Sequence, residues 1–442
     1  MDMFLCFMHN IKWTFTCFYN IIHTVKKLFL LLICLVILPL FLSANDELTR
    51  SDTGFESEDA FPEDPKGPFR NEDRMFEIGL MNISINFSND LFTITEIFQE
   101  NLILNTNELE KGLNIRLGAI ISPFYINFNY YDNWGIGFSA GLEAAGIIGI
   151  SGNALSLSEA VNDKSDASGA VFAELRLGGF FNYQNFRIKL YPALYYPLAY
   201  VKPDISYTFK NTASGPIVDI NYDLRIYTGF PLDNFPDSFS LTASPGFDFH
   251  FGVEYPLSSA LGLSEKNKFL NFNVGLDFYN IPVVRSTMRN YIGTTGLIGG
   301  DEPIDIFNLN TGLDSYYTFN KFSYGTGEEK ILRPFKTLTW IDWHPFGPIL
   351  SFIPTLGFAV NNLYVRPVSL EAGLQIRLDV LNKFITVLGI GYYDRLWKNS
   401  IDLAFNSRAF EFNIGVNFQS TDLIKSWTGG GFGLNMGIKL GW

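Results

Sequence analysis

The sequence predicts an all-β fold in which antiparallel strands close into a membrane-spanning barrel. Apolar and polar residues alternate with a period of two in segment after segment, which is typical of strands with one apolar face. Charged residues make up only 17% of the chain and aromatic residues 16%, while the mean hydropathy is a mild +0.11. Helical membrane proteins are far more hydrophobic, whereas strands that face lipid on one side alone give this intermediate value.

The charge balance excludes several classes of protein. The net charge is −13, so the chain lacks the basic footprint that a nucleic-acid backbone requires, and no nucleic-acid partner is predicted. The apolar fraction of 47% and the high aromatic content exclude a disordered chain and a coiled coil.

Residues 1–44 are predicted to be a signal peptide. Lys26 and Lys27 precede an unbroken apolar run of 15 residues, 28–42, which small and then acidic residues follow. A spanning helix needs about 20 apolar residues, so an uncleaved anchor is the less favoured alternative. Residues 1–24 do not resemble part of a signal, and we therefore hypothesise that translation starts at Val25.

The three cysteines fit export from the cell. Cys6, Cys17 and Cys34 all precede Ala44, so the mature chain has no disulfide, no thiolate metal site and no cysteine nucleophile. Cys34 lies in a sequence similar to a lipoprotein box. Ile33 is too large for the position before a lipidated cysteine, and the apolar run continues beyond it, so lipidation is disfavoured.

Two segments are predicted to precede the barrel. Residues 45–74 form an acidic, flexible lead, because ten acidic and only three basic residues lie between 45 and 73. Residues 75–112 form either a hatch that plugs the barrel or its first strand. Thr93 and Glu96 make a helical capping box, and one helical face carries Leu91, Ile94, Ile97, Phe98 and Leu102. A surface helix is the alternative interpretation.

Residues 113–442 are predicted to form the barrel, with about 14 strands and a range of about 12–16. A spanning strand needs about 9–11 alternating residues, and the end of the chain supplies them. Such a long apolar strand at the edge of a soluble sheet would invite aggregation, whereas a closed barrel has no edge. We also predict that the apolar face of this strand is the signal recognised by the barrel assembly machinery: Phe432, Leu434, Met436, Ile438, Leu440 and Trp442.

The alternation assigns each residue of a strand to lipid or to the lumen, which is the inside of the barrel. Leu276, Leu374 and Ile414 are expected to face lipid. A polar interior is required by a water-filled or plugged barrel, and the charged residues predicted to face it are Arg116, Glu174, Arg176, Asp277, Glu371, Arg377 and Glu411.

Two further features are expected outside the spanning strands. Stretches without regular alternation, at 151–168, 256–268, 292–312 and 325–334, are predicted to be outer loops. Aromatic residues near strand ends are predicted to form girdles at the membrane surfaces; these are Tyr130, Tyr131, Trp134, Tyr195, Tyr196, Tyr200, Trp340, Trp343, Tyr392, Tyr393 and Trp397.

No catalytic, cofactor-binding or metal site is predicted. Asp248 and His250 lie on one face of a strand and could serve an enzyme, but the sequence specifies no positioned nucleophile, so a polar network is favoured. The mature chain has one other histidine, His344, in a predicted turn, and two isolated histidines do not make a metal site.

Short sequence motifs carry a family resemblance. The segments 76–89, 133–138 and 191–198 resemble those of spirochaetal outer-membrane barrels, which are similar in turn to the long-chain fatty-acid transporter family. The resemblance implies about 14 strands with an N-terminal hatch, and passage of hydrophobic molecules laterally or inward. It identifies no individual ligand-contacting residue.

Together these observations predict a barrel in the outer membrane that passes small solutes or hydrophobic nutrients, such as fatty acids, without chemistry. Its expected partners are the lipid of the outer membrane, the assembly machinery, and a small-molecule or lipid cargo, with no cofactor. The alternative is a structural or adhesive barrel whose surface loops bind other molecules.

Overall fold

The computed structural model describes residues 75–89, 113–130, 133–150, 160–164, 167–201, 203–212, 215–230, 241–262, 269, 271–299, 317–319, 323–364, 367–380, 383–407, 409–428 and 430–441. The predicted signal peptide, the acidic lead, the helix at 91–102 and Trp442 lie outside this part of the chain. Within the described residues, none of the helices has the length and apolar character needed to span a membrane.

The described chain is built almost wholly from β-strands. In chain order they are β1 (Phe76–Gly79), β2 (Asn82–Asn89), β3 (Leu113–Tyr130), β4 (Trp134–Ile150), β5 (Ala160–Lys164), β6 (Ala167–Tyr183), β7 (Phe186–Val201), β8 (Asp204–Thr212), β9 (Gly215–Thr228), β10 (Gly246–Tyr255), β11 (Phe272–Val284), β12 (Ser286–Gly299), β13 (Tyr317–Phe319), β14 (Ser323–Ile331), β15 (Phe335–Trp343), β16 (Pro345–Pro348), β17 (Leu350–Val360), β18 (Val368–Val380), β19 (Phe384–Tyr393), β20 (Leu396–Asn406), β21 (Phe410–Ser420) and β22 (Gly431–Gly441). Two short helices, α1 (Leu257–Ala260) and α2 (Leu423–Thr428), lie between strands.

The strands close into an antiparallel barrel of 14 wall strands, as predicted. Five wall strands are each made of two consecutive segments, namely β1 with β2, β7 with β8, β9 with β10, β11 with β12, and β14 with β15. The ring closes where β22 pairs with β21 on one side and with β1 and β2 on the other. The wall therefore begins at Phe76, so residues 76–89 form its first strand.

The two rims of the barrel differ in the length of their connections. At the rim where the chain ends, only two or three residues separate β3 from β4, β6 from β7, β18 from β19, and β20 from β21. Bacterial barrels have short turns on the periplasmic side and longer loops outside, so we call this rim periplasmic and the opposite rim outer. The outer rim carries the connection between β2 and β3 and the connection that contains α2.

The alternation of apolar and polar residues along each strand gives the wall an apolar outer face and a polar inner face. In β18, Val368, Leu370 and Leu378 are 61%, 74% and 43% exposed, whereas Ser369, Glu371 and Arg377 between them are buried. Because the barrel is closed, one strand face points to the lumen and the other outward, so an exposed apolar face is suited to lipid. Leu276, Leu374 and Ile414, the residues expected to face lipid, are likewise exposed.

The wall is higher on one side than on the other. The strands β17–β22 have 10–13 residues each. By contrast, β11 and β12 have 13 and 14 residues and follow each other with only Arg285 between them. A strand needs only about 9–11 residues to cross the membrane, so the segments β8, β9, β12 and β14 extend the high side beyond it.

This extension explains where the loop predictions were wrong. Residues 292–299 and 325–331 are strand, in β12 and β14, rather than outer loop. The alternating hydrophobic pattern is weak there because both faces of a strand meet water once it leaves the membrane. The stretch 256–268 was also predicted to be an outer loop, yet it follows β10 at the periplasmic rim and begins with α1.

Candidate functional site

A line of charged side chains runs down the inside of β10. Its sequence alternates without a break, so Asp248, His250 and Glu254 are buried in the lumen while the phenylalanines between them point outward. Each has a partner on another element: Arg333 for Asp248, Asp277 for His250 and Lys189 for Glu254. We call these six residues the charged ladder.

Arg333 is the centre of the upper part of this ladder. It lies in the break between β14 and β15, and the break turns its side chain into the lumen, where it is 2% exposed. Its Nε and Nη2 donate to the two oxygens of Asp248 at 2.8 and 2.7 Å, and its Nη1 donates to Glu174. Two carboxylates thus satisfy a fully buried guanidinium, which a buried cation requires.

Asp248 and His250, which share a face of β10, bind different partners. Asp248 binds Arg333, whereas His250 Nε2 lies 3.0 Å from Asp277 Oδ1. The other oxygen of Asp277 accepts a hydrogen bond from the indole of Trp340 at 2.8 Å. His250 therefore belongs to a polar network in the wall, which is the interpretation that the sequence favoured.

The other residues predicted to face the lumen are all buried, at 2–4% exposure. Arg176 donates to Glu174 at 3.2 Å, Lys336 pairs with Glu371 at 3.0 Å, and Lys439 pairs with Glu411 at 2.8 Å. Arg116 donates to the backbone oxygen of Asp394 at 2.6 Å. Arg377 is buried on the inner face of β18. The structure thus gives most of these side chains a partner within the barrel.

Above the charged ladder the lumen holds a partly open cavity of about 310 Å³, which charged and apolar side chains line together. Its walls come from the inner faces of β4, β6 and β7, from the break between β14 and β15, and from the connection after β17. The lining residues are Glu143, Ala145, Ala170, Phe172, Tyr200, Arg285, Glu329, Lys330, Ile331, Leu332, Pro334, Asn361, Asn362 and Leu363.

A tyrosine separates this cavity from the ladder. Tyr195 is 1% exposed, packs edge-on against Phe172 with ring centroids 5.8 Å apart, and lies 5.2 Å from the guanidinium of Arg333. Its ring also crosses Gly246, where a Cβ atom would come within 2.1 Å of the tyrosine Cζ. A side chain on residue 246 would therefore displace the ring.

The prediction that Tyr195 and Tyr200 belong to a surface girdle was wrong. Both are buried in the lumen, at 1% and 7% exposure. Their spacing of five residues cannot place two side chains on one face of a regular strand. The register shift in the pairing of β6 with β7 supplies the missing residue, because Val171 pairs with Ala199 but Phe172 pairs with Pro197. Trp340 and Tyr393 are buried as well, whereas Tyr130 and Trp134 are exposed as a girdle requires.

The connection between β17 and β18 folds into the barrel. We call its residues Asn361–Tyr364 the inner loop. Leu363 and Tyr364 are 7% and 3% exposed, and the backbone oxygen of Leu363 accepts a hydrogen bond from Ser168 at 2.6 Å. Tyr364 donates to Asp394 Oδ2 at 2.7 Å, in the two-residue turn between β19 and β20. Burial raises the pKa of the Asp394 carboxyl to about 6.

A second histidine cluster lies near the periplasmic rim. His344 Nε2 is 2.8 Å from Asp342 Oδ2, and its Nδ1 is 3.1 Å from Ser351 Oγ. These are the residue types of a hydrolytic triad. Ser351 is 1% exposed, however, so a substrate carbonyl has no approach to the hydroxyl. The cluster is a hydrogen-bonded part of the inner wall.

Sequence reasoning missed the residues that define the cavity. Arg333 and Asn361 lie in breaks between strands, where alternation assigns no direction to a side chain. Glu143 does alternate within its strand, and that pattern was sufficient to place it on the inner face. The alternating pattern carries no information on which residues Glu143 contacts across the lumen.

Comparisons with known proteins give likeness in shape alone. Neither the family models nor the curated proteins include a match to the sequence. The toluene transporter TodX of Pseudomonas putida is 9% identical, with a TM-score of 0.45 over 85% of this chain and 91% of that chain. The CymD monoaromatic hydrocarbon channel is 8% identical, with a TM-score of 0.44 over 86% and 94%. The translocator domain of autotransporter NalP from Neisseria meningitidis is 7% identical, with a TM-score of 0.32 over 85% and 91%.

Proposed function

We propose that this chain is an outer-membrane channel that passes small hydrophobic solutes without chemistry. The observation that carries the proposal is the cavity above the charged ladder. It lies between the wall and the inner loop, and Phe172, Tyr200 and Leu363 contribute apolar surface to it beside polar side chains. A concave site of about 300–1,000 Å³ that combines apolar surface with polar groups is typical of small-molecule binding.

The charged ladder argues against a wide, water-filled pore at its level. Asp248, Asp277 and Arg333 are each 2% exposed, so side chains rather than water occupy this part of the lumen. A solute held in the cavity meets paired charges directly beneath it. Transport through such a barrel is selective, and it requires movement of the ladder or an exit through the wall.

The proposed cargo is a small hydrophobic molecule. Proteins of similar shape are named toluene transporters and a monoaromatic hydrocarbon channel. The motif resemblance to the fatty-acid transporter family and to spirochaetal barrels favours the same class of cargo and remains a hypothesis. The N-terminal hatch that this resemblance implies was placed within residues 75–112. Residues 76–89 belong to the wall, and the helix expected at 91–102 lies outside the described residues.

The proposal is tested by filling the cavity. Ala170 lines it and is 3% exposed, so Ala170→Trp is expected to occupy much of its volume. Leu177→Trp is the matched control, because Leu177 lies on the same strand but is 54% exposed on the outward face. Both variants are first checked for heat-modifiable migration, which reports a folded barrel.

Uptake of radiolabelled toluene is then measured in bacteria that lack other channels for hydrophobic solutes. The unmodified chain and Leu177→Trp are expected to support uptake, and folded Ala170→Trp is expected to lose most of it. Equal uptake by all three proteins would show that the transported solute does not pass through the cavity. No uptake by the unmodified chain would overturn the proposal and favour the adhesive barrel.

Two partners complete the proposal. Membrane lipid covers the outward apolar face, and the barrel assembly machinery recognises the last strand, where Phe432, Leu434 and Leu440 are 44%, 37% and 37% exposed. Trp442→Asp is expected to leave the chain unfolded in the periplasm. Folded Trp442→Asp protein in the outer membrane would contradict this assignment.

A further inference from the structure

We propose that the cavity selects cargo that carries a hydroxyl group on an apolar body, such as an alcohol or a phenol. This inference rests on the proposed function, because it assumes that the cavity holds the transported solute. It goes further by naming the polar group that the site recognises and the two side chains that recognise it.

Glu143 supplies an unmatched hydrogen-bond acceptor. It lines the cavity at 2% exposure, and neither of its carboxylate oxygens accepts a hydrogen bond among the described residues. Arg333 approaches it only to 3.5 Å, and the guanidinium already donates to Asp248 and Glu174. Arg333 therefore does not depend on Glu143, and a buried carboxylate without a donor is costly unless a ligand supplies one.

Asn361 supplies an unmatched donor on the same lining. It is 1% exposed, and its Oδ1 accepts a hydrogen bond from the backbone nitrogen of Leu363 at 3.0 Å. This bond fixes the orientation of the amide, because the oxygen has to face the loop. The Nδ2 group is then left without an acceptor among the described residues.

A hydroxyl group matches both side chains. It donates one hydrogen bond and accepts others, so it can serve a carboxylate and an amide nitrogen. An ammonium group only donates and a ketone only accepts. The remaining lining includes Ala145, Ala170, Phe172 and Leu363, which suits an apolar body.

Three probes of nearly equal size separate these properties. The probe 1-phenylethanol donates and accepts, acetophenone only accepts, and ethylbenzene does neither. Their binding to the purified full chain in amphipol is measured by titration calorimetry. We expect 1-phenylethanol to bind about tenfold more tightly than ethylbenzene, which is typical of one hydrogen bond formed in a buried site. Equal binding of the three probes by the unmodified chain would overturn the inference without any variant.

Variants of Glu143 and Asn361 test whether these two side chains cause the preference for 1-phenylethanol. Glu143→Met keeps the length of the side chain and removes both acceptors, so the preference for 1-phenylethanol should disappear. Asn361→Asp keeps the acceptor for Leu363 and removes the amide donor, so the preference should weaken. Glu328→Gln is the matched control, because Glu328 is an exposed glutamate paired with Arg289 at 3.7 Å and does not line the cavity.

Each outcome has a separate meaning. A folded Glu143→Met protein that keeps the full preference for the alcohol would show that the hydroxyl is recognised elsewhere, and the inference would be wrong. Uptake of toluene together with equal binding of the three probes would leave the proposed function in place and remove only the hydroxyl preference. Lack of uptake of any hydrophobic solute would remove the proposed function itself.

Discussion

Two levels of the barrel interior are built from the same strands but differ in chemistry. The upper level holds the cavity, whose lining is part apolar and part polar, and the lower level holds the charged ladder. On β6, Ala170 and Phe172 line the cavity. Further along the same inner face, Glu174 is ion-paired with Arg176 and with Arg333. Neighbouring positions on one strand face lie about 7 Å apart. The change from a partly apolar cavity to a layer of ion pairs therefore takes place over one step along the strand face, and Tyr195 with Arg333 marks the boundary.

If the chain passes hydrophobic solutes as proposed, this difference would let a solute enter the upper level and would stop it at the lower level. Contact with apolar side chains favours the solute in the upper level. Entry into the lower level would separate buried charges from their partners, which is costly in a site shielded from water. For the proposed cargo, we therefore expect the solute to stop at this boundary.

The largest effect of the difference between the two levels is expected from substitution of Arg333. Arg333→Met removes the cation and leaves Glu174 and Asp248 buried without their main partner. Breaking a buried ion pair in this way costs about 3–5 kcal/mol. We expect the free energy of unfolding, measured by urea titration of the reconstituted barrel, to fall by that amount.

The control is an arginine at the surface. Arg289 pairs with Glu328 at 3.7 Å with both side chains about two-thirds exposed, at 65% and 64%. Arg289→Met should therefore cost less than about 1 kcal/mol. If both variants lost a similarly small amount of unfolding free energy, the buried ion pairs of the lower level would not be strong enough to exclude a solute.

The wall and the polarity of its inner face could be predicted from the sequence. Alternation was sufficient because a closed barrel in lipid gives every spanning strand one apolar and one polar face. It indicated that Glu174 and Glu411 share an inner face, although their partners lie on other strands. Pairing across the lumen depends on barrel geometry, which period-two alternation does not encode.

The cavity could not be predicted for three physical reasons. Arg333 and Asn361 lie where strands break, so no periodicity fixes their direction. A register shift between β6 and β7 moves Tyr200 from the expected outer face to the inner face. The inner loop is folded inward by contacts distant in sequence, such as Ser168 with Leu363.

A smaller effect is expected on the outward face, which both levels share. Ile414 is 38% exposed on β21, and Asn413 precedes it on the opposite face. Arginine at a lipid-facing position near the membrane centre costs about 2–4 kcal/mol, against little in a lumen. We expect Ile414→Arg to lower the folded yield in lipid vesicles much more than Asn413→Arg. Equal damage from both would mean that this strand does not separate lipid from lumen.

The smallest expected effect compares the acids of the charged ladder with a buried acid in a turn. Acids of the charged ladder face lysine, arginine or histidine, whereas the carboxylate of Asp394 accepts its hydrogen bond from the hydroxyl of Tyr364 at 2.7 Å. Asp394 lies in the turn between β19 and β20, and its pKa of about 6 reflects burial, which the charge of Arg116 offsets only in part.

The sign of the pH dependence follows from this raised pKa. Above pH 6 the folded protein holds a buried negative charge that the unfolded chain exposes to water, so folding is penalised. As the pH falls through about 6, the folded carboxyl takes up a proton, whereas the unfolded one does so only near its usual value of 3.8. The contribution of Asp394 to stability should therefore rise by about 1 kcal/mol between pH 7.5 and pH 5.

Other groups titrate in the same range, so the measurement is the difference in unfolding free energy between the unmodified chain and Asp394→Asn at each pH. We expect the variant to be relatively more stable at pH 7.5 and to lose that advantage at pH 5, because asparagine carries no charge to bury. A difference that does not change with pH would place the charge of Asp394 in contact with water, and the turn would then not be packed into the barrel with the inner loop.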